Sequence, residues 1–127
     1  MLKIHLRDKI LLTLHYTYEK RVHARLLMLY LYIIDKLIRS RYIPKPRFYS
    51  NGVVLDNYSL LIQGMIRAEF IDMDNSYYLQ LKKRGKRRIQ ELLTDKRYSA
   101  DVKTIQGIMY NLRKKTVEEL LAYAQSL

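Results

Sequence analysis

Residues 26–34 are nine consecutive apolar side chains, Leu-Leu-Met-Leu-Tyr-Leu-Tyr-Ile-Ile, closed by Asp35 and Lys36. A helix through this run has no polar face, so it must be covered on more than one side. Nine residues fall far short of the roughly 20 needed to cross a bilayer, so a membrane is not the cover. One side is expected to meet the core and another a neighbouring helix or a second subunit. The helix is expected over residues 23–41. Pro44 and Pro46, the only prolines of the chain, end it and make residues 43–47 an extended connector.

The flanking sequence supplies shorter elements. Residues 7–18 form a first helix, with Ile10, Leu11, Leu14 and Tyr18 at three- and four-residue steps and Asp8 suited to its first turn; residues 19–22 are a polar break. Within residues 48–55, Ser50-Asn51-Gly52 is a turn signal, and Val53-Val54-Leu55 is readable as a short strand. Asp56 is expected to cap a third helix ending at Arg67 or Ala68. Its inner stripe is Tyr58, Leu61, Ile62, Met65 and Ile66. Residues 70–73 and 77–81 alternate around Asp74-Asn75-Ser76, which reads as a β-hairpin. A fourth helix follows over residues 84–94, with Ile89, Leu92 and Leu93 inward, and a loop over 95–98. Ser99 is expected to cap a fifth helix. Thr116 and Glu119 form a capping box for a last one.

Helix, helix, helix, hairpin, helix is the order of a winged helix-turn-helix. The expected fold is therefore mainly α (α+β), one domain over residues 1–127, with a small hairpin wing and additional C-terminal helices. A chain of 127 residues can bury one modest core.

Charge points to the partner. The chain carries 24 Lys and Arg against 12 Asp and Glu, net +12. Residues 82–127 hold 12 basic and 5 acidic residues, so the excess is concentrated late. Its centre is Lys82-Lys83-Arg84-Gly85-Lys86-Arg87-Arg88, six basic residues in seven, at the junction of hairpin and fourth helix. Such density favours a polyanion, and double-stranded DNA suits the element order. In this reading Asn57, Ser59, Gln63 and Arg67 on the outer face of the third helix read base edges. Lys82, Lys83, Arg84, Lys86, Arg87 and Arg88 hold phosphates. Asp72 and Asp74 would repel phosphate from the wing tip, leaving the hairpin base as the better contact. Arg21, Arg25, Arg39, Arg41, Lys45 and Arg47 form a second basic population; the sequence does not say whether it shares a face with the first.

The ordered elements resemble the Panacea or SocA-type antitoxin group and its short archaeal and phage-associated relatives. The opening Leu6-Arg7-Asp8-Lys9-Ile10-Leu11-Leu12 is similar to their Leu-Arg-Asp start. Residues 26–37 correspond to their apolar helix, and Phe48-Tyr49-Ser50 to the aromatic connector after it. Ala68-Glu69-Phe70-Ile71 sits where they have Leu-Gly-Leu-Ile. Tyr78-Leu79-Gln80-Leu81-Lys82-Lys83-Arg84-Gly85-Lys86 is similar to their strand followed by Leu-Thr-x-x-Gly. Thr116-Val117-Glu118-Glu119-Leu120-Leu121-Ala122-Tyr123 matches a recurrent Ser/Thr-x-Glu-Glu-Leu-Leu-x-Tyr ending. The resemblance implies a winged-helix-like fold, and an adaptor or antitoxin that binds a protein as the alternative to a DNA-binding regulator. An acidic protein would then be the partner. MarR- and PadR-type regulators share the element order more distantly.

Catalytic chemistry finds little support. With no cysteine, thiol nucleophiles, disulfides and Cys-based zinc sites are excluded. His5, His15 and His23 lack metal-ligand spacing. There is no phosphate-cradling glycine loop and no Gly-x-Ser-x-Gly turn. The expectation is a DNA-binding regulator of transcription with no enzyme activity, cofactor or metal. A nucleic-acid module that prefers RNA or has no sequence preference is a further alternative. A homodimer is expected from the apolar girth of the second and late helices. The charged N-terminus is not a signal peptide, so an intracellular, cytoplasmic place is expected. The Ile, Leu, Tyr, Lys and Arg bias would suit a hot-living archaeon or one of its viruses, in its host cell.

Overall fold

The computed structural model describes residues 2–127. The elements run α1 (Leu6–His15), β1 (Val22–His23), α2 (Ala24–Leu37), β2 (Arg47–Tyr49), β3 (Gly52–Val54), α3 (Asp56–Arg67), β4 (Ile71–Met73), β5 (Tyr78–Leu81), α4 (Lys83–Thr94), α5 (Ser99–Leu112) and α6 (Val117–Ser126). The protein is mainly helical with small antiparallel sheets. A three-stranded sheet has the order β1-β5-β4, and β2 pairs with β3 in a separate hairpin.

The apolar run lies at the centre of α2, where residues 27–35 are all buried. The chain supplies the cover itself, because β3, α1, α5 and α6 all pack on α2. The girth of α2 is thus satisfied within one chain and gives no ground for a second copy. β3 comes close through Gly52, whose φ is +147°. A Cβ there would stand 2.2 Å from the carbonyl oxygen of Arg25, so only glycine allows the approach.

Several helix ends differ from the periodicity reading. α1 stops at His15, and Tyr18 stands outside it, 60% exposed. α2 stops at Leu37, well short of Arg41. There Arg39 takes a left-handed φ of 56°, and the Ser40 N–H bonds the Asp35 carbonyl across six residues. This is a Schellman-type stop built without glycine, which hides it from a sequence reading. Glu69 ends α3 the same way, with the Phe70 N–H bonded to the Met65 carbonyl. Asp56 is not a cap: Leu55 holds that position, and the Asp56 carboxylate pairs with Arg47 at 3.0 Å. Ser99 is likewise the first residue of α5, with Tyr98 before it. Leu93 is 38% exposed, and Gly85 joins Ile89 and Leu92 on the buried side of α4. The Thr116–Glu119 capping box is present in both its bonds.

A buried polar knot holds α1, α2 and α3 together. Asp35 accepts from Lys9 Nζ at 2.5 Å, from the Tyr58 hydroxyl at 2.7 Å and from the Ser40 hydroxyl at 3.0 Å. Lys9 and Asp35 are 5% and 2% exposed. A charge removed from water this far must be paired and hydrogen-bonded, and both conditions are met. Burial first, then the Asp35 charge and hydrogen bond, push the Tyr58 phenol far above its ordinary pKa, so it stays a donor.

Candidate nucleic-acid interface

The basic run begins where β5 ends. Lys82 occupies the N-cap position of α4 without a side-chain capping bond, and the first turn contains no acidic residue. The unsatisfied N–H groups and helix dipole at such an end favour an anion. Gly85 brings the turn against Phe70, where a Cβ would meet the Phe70 carbonyl oxygen at 2.3 Å. The Lys82 N–H donates to that carbonyl at 3.1 Å.

Two side chains of the run bolt it to the C-terminal end of α3. Arg84 donates to the Ala68 carbonyl at 2.6 Å and lies 4.3 Å over the Phe70 ring. Lys82 pairs with Glu69 at 3.3 Å. Lys83, Lys86 and Arg87 are exposed, and among the described residues none has a carboxylate partner. These three cations are free to meet phosphates.

Arg88 has a different place. Its Nε and one terminal nitrogen donate to the two carboxylate oxygens of Asp8, at 3.1 and 3.0 Å. Asp8 is fully buried, and its hydrogen bonds are the main reason the Arg88 pKa rises above its already high ordinary value. The charge of Arg88 is spent on tying α4 to α1. This leaves it poorly placed as the phosphate contact expected from its position in the run.

On α3, Tyr58, Ile62 and Met65 are buried, while Gln63 and Arg67 stand open to solvent. Leu60, 71% exposed, shares the outer side. Arg67 is the last residue of α3, directly before the carbonyl that receives Arg84. Ser59 is half-buried; with Gln63 it lines a cleft of about 340 Å³ shared with His23, Arg25, Met73 and Tyr77. Asn57 is also half-buried, its side-chain oxygen enclosed without a hydrogen-bond partner among the described residues. The structure therefore presents Gln63 and Arg67 most openly, Ser59 within the cleft, and Asn57 least.

The hairpin tip is less repulsive than its composition suggests. Asp74 accepts from the N–H groups of Ser76 and Tyr78 and pairs with Arg21 at 2.9 Å. These bonds, that of Tyr78 foremost, hold its carboxyl below the ordinary aspartate value. Arg21 is consequently occupied at the tip. Arg25 lies 3.9 Å over the Tyr49 ring, and Arg47 is paired with Asp56.

The strand β1 escaped the sequence reading, which placed a polar break there. Two residues are too few for a visible alternation, and their partners, Leu79 and Tyr78, lie more than fifty positions away. The one local signal is His23, whose Nδ1 caps α2 by accepting from the Arg25 N–H at 3.1 Å. Among the described residues no cluster of three His, Asp or Glu could hold a metal ion, and no helix is long and apolar enough to cross a membrane. No protein-family model, curated protein or solved structure matches the chain.

Proposed function

We propose that this protein is a winged-helix module that binds double-stranded DNA and regulates transcription. Support for the fold comes from the strand between the first two helices. β1 adds to the outer side of β5, giving the order β1-β5-β4, with α2 packed on β1 and α3 on β4, which supports that reading. The hairpin β2–β3 is an insertion between the second and third helices.

The observation that carries the function is the trio Lys83, Lys86 and Arg87, free of carboxylate partners among the described residues and held near the C-terminal end of α3. A charged run on a mobile tail would bind anions in any orientation. Here Arg84 and Lys82 anchor the run, so phosphate contacts would place α3 in a set register on a duplex. Phosphate contacts position and base contacts specify. Gln63 and Arg67 are the side chains best exposed for the second task, and Ser59 and Asn57 are secondary.

Titration with duplex DNA, single strands and RNA at several salt concentrations tests this. Tight duplex binding whose log affinity falls linearly with log salt is expected. Absence of duplex binding at low salt overturns the proposal and favours a protein-binding adaptor. Binding with a steep salt slope and equal affinity for duplexes of different sequence would favour a module without sequence preference.

A further inference from the structure

The connector between α2 and β2 carries basic residues that this reading leaves unused. From Lys36 to Leu55 the chain has five cations and no acidic residue. Arg39, Arg41 and Lys45 are exposed, and among the described residues they form no ion pair.

Two independent contacts place this connector at the N-terminal end of α3. Ser40, between Arg39 and Arg41, bonds the same Asp35 carboxylate that receives the Tyr58 hydroxyl from the first turn of α3. At the far side Arg47 is paired with Asp56, the first residue of α3. Lys45 stands between Pro44 and Pro46. Proline fixes its own backbone and restricts the residue before it, so ordering this cation against a ligand costs little chain entropy.

Two sets of unpaired cations among the described residues thus flank one helix. Arg39, Arg41 and Lys45 gather at its start, and Lys83, Lys86 and Arg87 at its finish. α3 has 12 residues and is about 18 Å long. The major groove of B-DNA is about 12 Å wide between its backbones. A helix of this length laid across the groove brings each end to a different strand.

We infer that the connector is a second phosphate clamp, in which Arg39, Arg41 and Lys45 hold the backbone of one DNA strand while Lys83, Lys86 and Arg87 hold the other. The inference rests on the duplex-binding reading above and deepens it. It assigns to residues 39–45 a role that helix order alone does not contain, and it sets α3 across the groove rather than along it.

Two triple variants decide the matter: Arg39→Gln with Arg41→Gln and Lys45→Gln, and Lys83→Gln with Lys86→Gln and Arg87→Gln. All six side chains are exposed and form no ion pair among the described residues, so unchanged circular dichroism and melting serve as the folding control. Each triple variant is measured on a mixed-sequence duplex for salt dependence and for strand-resolved phosphate-ethylation interference. Each should lower the magnitude of the log–log salt slope by about 2–3, and each should lose interference on the opposite strand from the other. If the connector variant keeps the wild-type slope and pattern while the other variant loses both, the clamp is wrong and duplex binding stands. Loss of interference on the same strand by both variants also overturns the clamp. If the unaltered protein binds no duplex at all, the parent reading falls first.

Discussion

Arg88 and Asp8, 80 positions apart, form a two-pronged ion pair, with guanidinium nitrogens 3.1 and 3.0 Å from the two carboxylate oxygens. Asp8 is fully buried, and Arg7 at 3.2 Å is its other cation. Replacing Arg88 by Ala leaves a buried carboxylate half-served. The expected loss is about 2–3 kcal/mol of stability, read from chemical denaturation. If the protein binds duplex DNA as proposed, the salt slope of that binding below the melting transition should stay as in the parent. A lowered slope with unchanged stability would return Arg88 to the phosphate contacts.

The Asp35 knot predicts a graded pair of effects. Tyr58→Phe removes one donor and leaves an oxygen of a buried carboxylate short of a partner, at a cost of about 1–3 kcal/mol. Lys9→Met removes the one cation paired with Asp35 among the described residues and should cost more, about 3–5 kcal/mol. Denaturant midpoints of the two variants give the order. Equal and negligible shifts would show that the knot contributes nothing to holding α1 and α3 on α2.

Glycine offers a test of sign. Within helices Gly→Ala ordinarily stabilises by up to about 1 kcal/mol. Gly107 of α5 has open space where a Cβ would stand, and Gly107→Ala should follow that rule. At Gly85 the new Cβ would lie 2.3 Å from the Phe70 carbonyl oxygen. Gly85→Ala should instead destabilise by about 1–3 kcal/mol as α4 is pushed from its place. Thermal melts of the two variants moving in the same direction would contradict this packing.

Acid should weaken the protein from just below neutrality. Burial, then the nearby Arg25, lowers the His23 pKa beneath its ordinary 6.5. The folded state therefore binds this proton less readily than the unfolded chain. The stabilising contribution of neutral His23 is complete above the unfolded value and is lost as pH falls through the folded one. Protonation at Nδ1 would also abolish the acceptor that caps α2. His15, lowered by burial, acts in the same direction. His23→Ser keeps a capping oxygen and should flatten the dependence of melting temperature on pH between neutrality and the low-pH side. An unchanged slope would remove His23 from the explanation.

Reading and clamping should separate by mutation. On the proposed duplex reading, Gln63→Ala should change the preference among duplex sequences, with each lost base contact worth about 1–3 kcal/mol. Asn57→Ala should change it less, since that side chain is half-buried. Competition binding across a panel of duplexes checks this, and a uniform loss on every sequence would make Gln63 another backbone contact.

Local chemistry determined much of this protein. The stripe Tyr58–Ile62–Met65, the hairpin around Asp74, the capping box and the basic run each arise within a few residues of chain, because one helical turn or one tight turn contains every partner needed. The apolar run at 26–34 required cover on several sides, and it has that cover. Tertiary structure alone decided what supplied the cover, where β1 pairs, and which cations remain free. Arg87 and Arg88 are neighbours of one type, yet packing against α1 gave Arg88 a buried carboxylate and left Arg87 in solvent. A guanidinium's role depends on which charge lies within hydrogen-bond reach, and for Arg88 that charge is 80 positions away. Helical period places a side chain on a face; the close approach of α4 to α1 selected its partner.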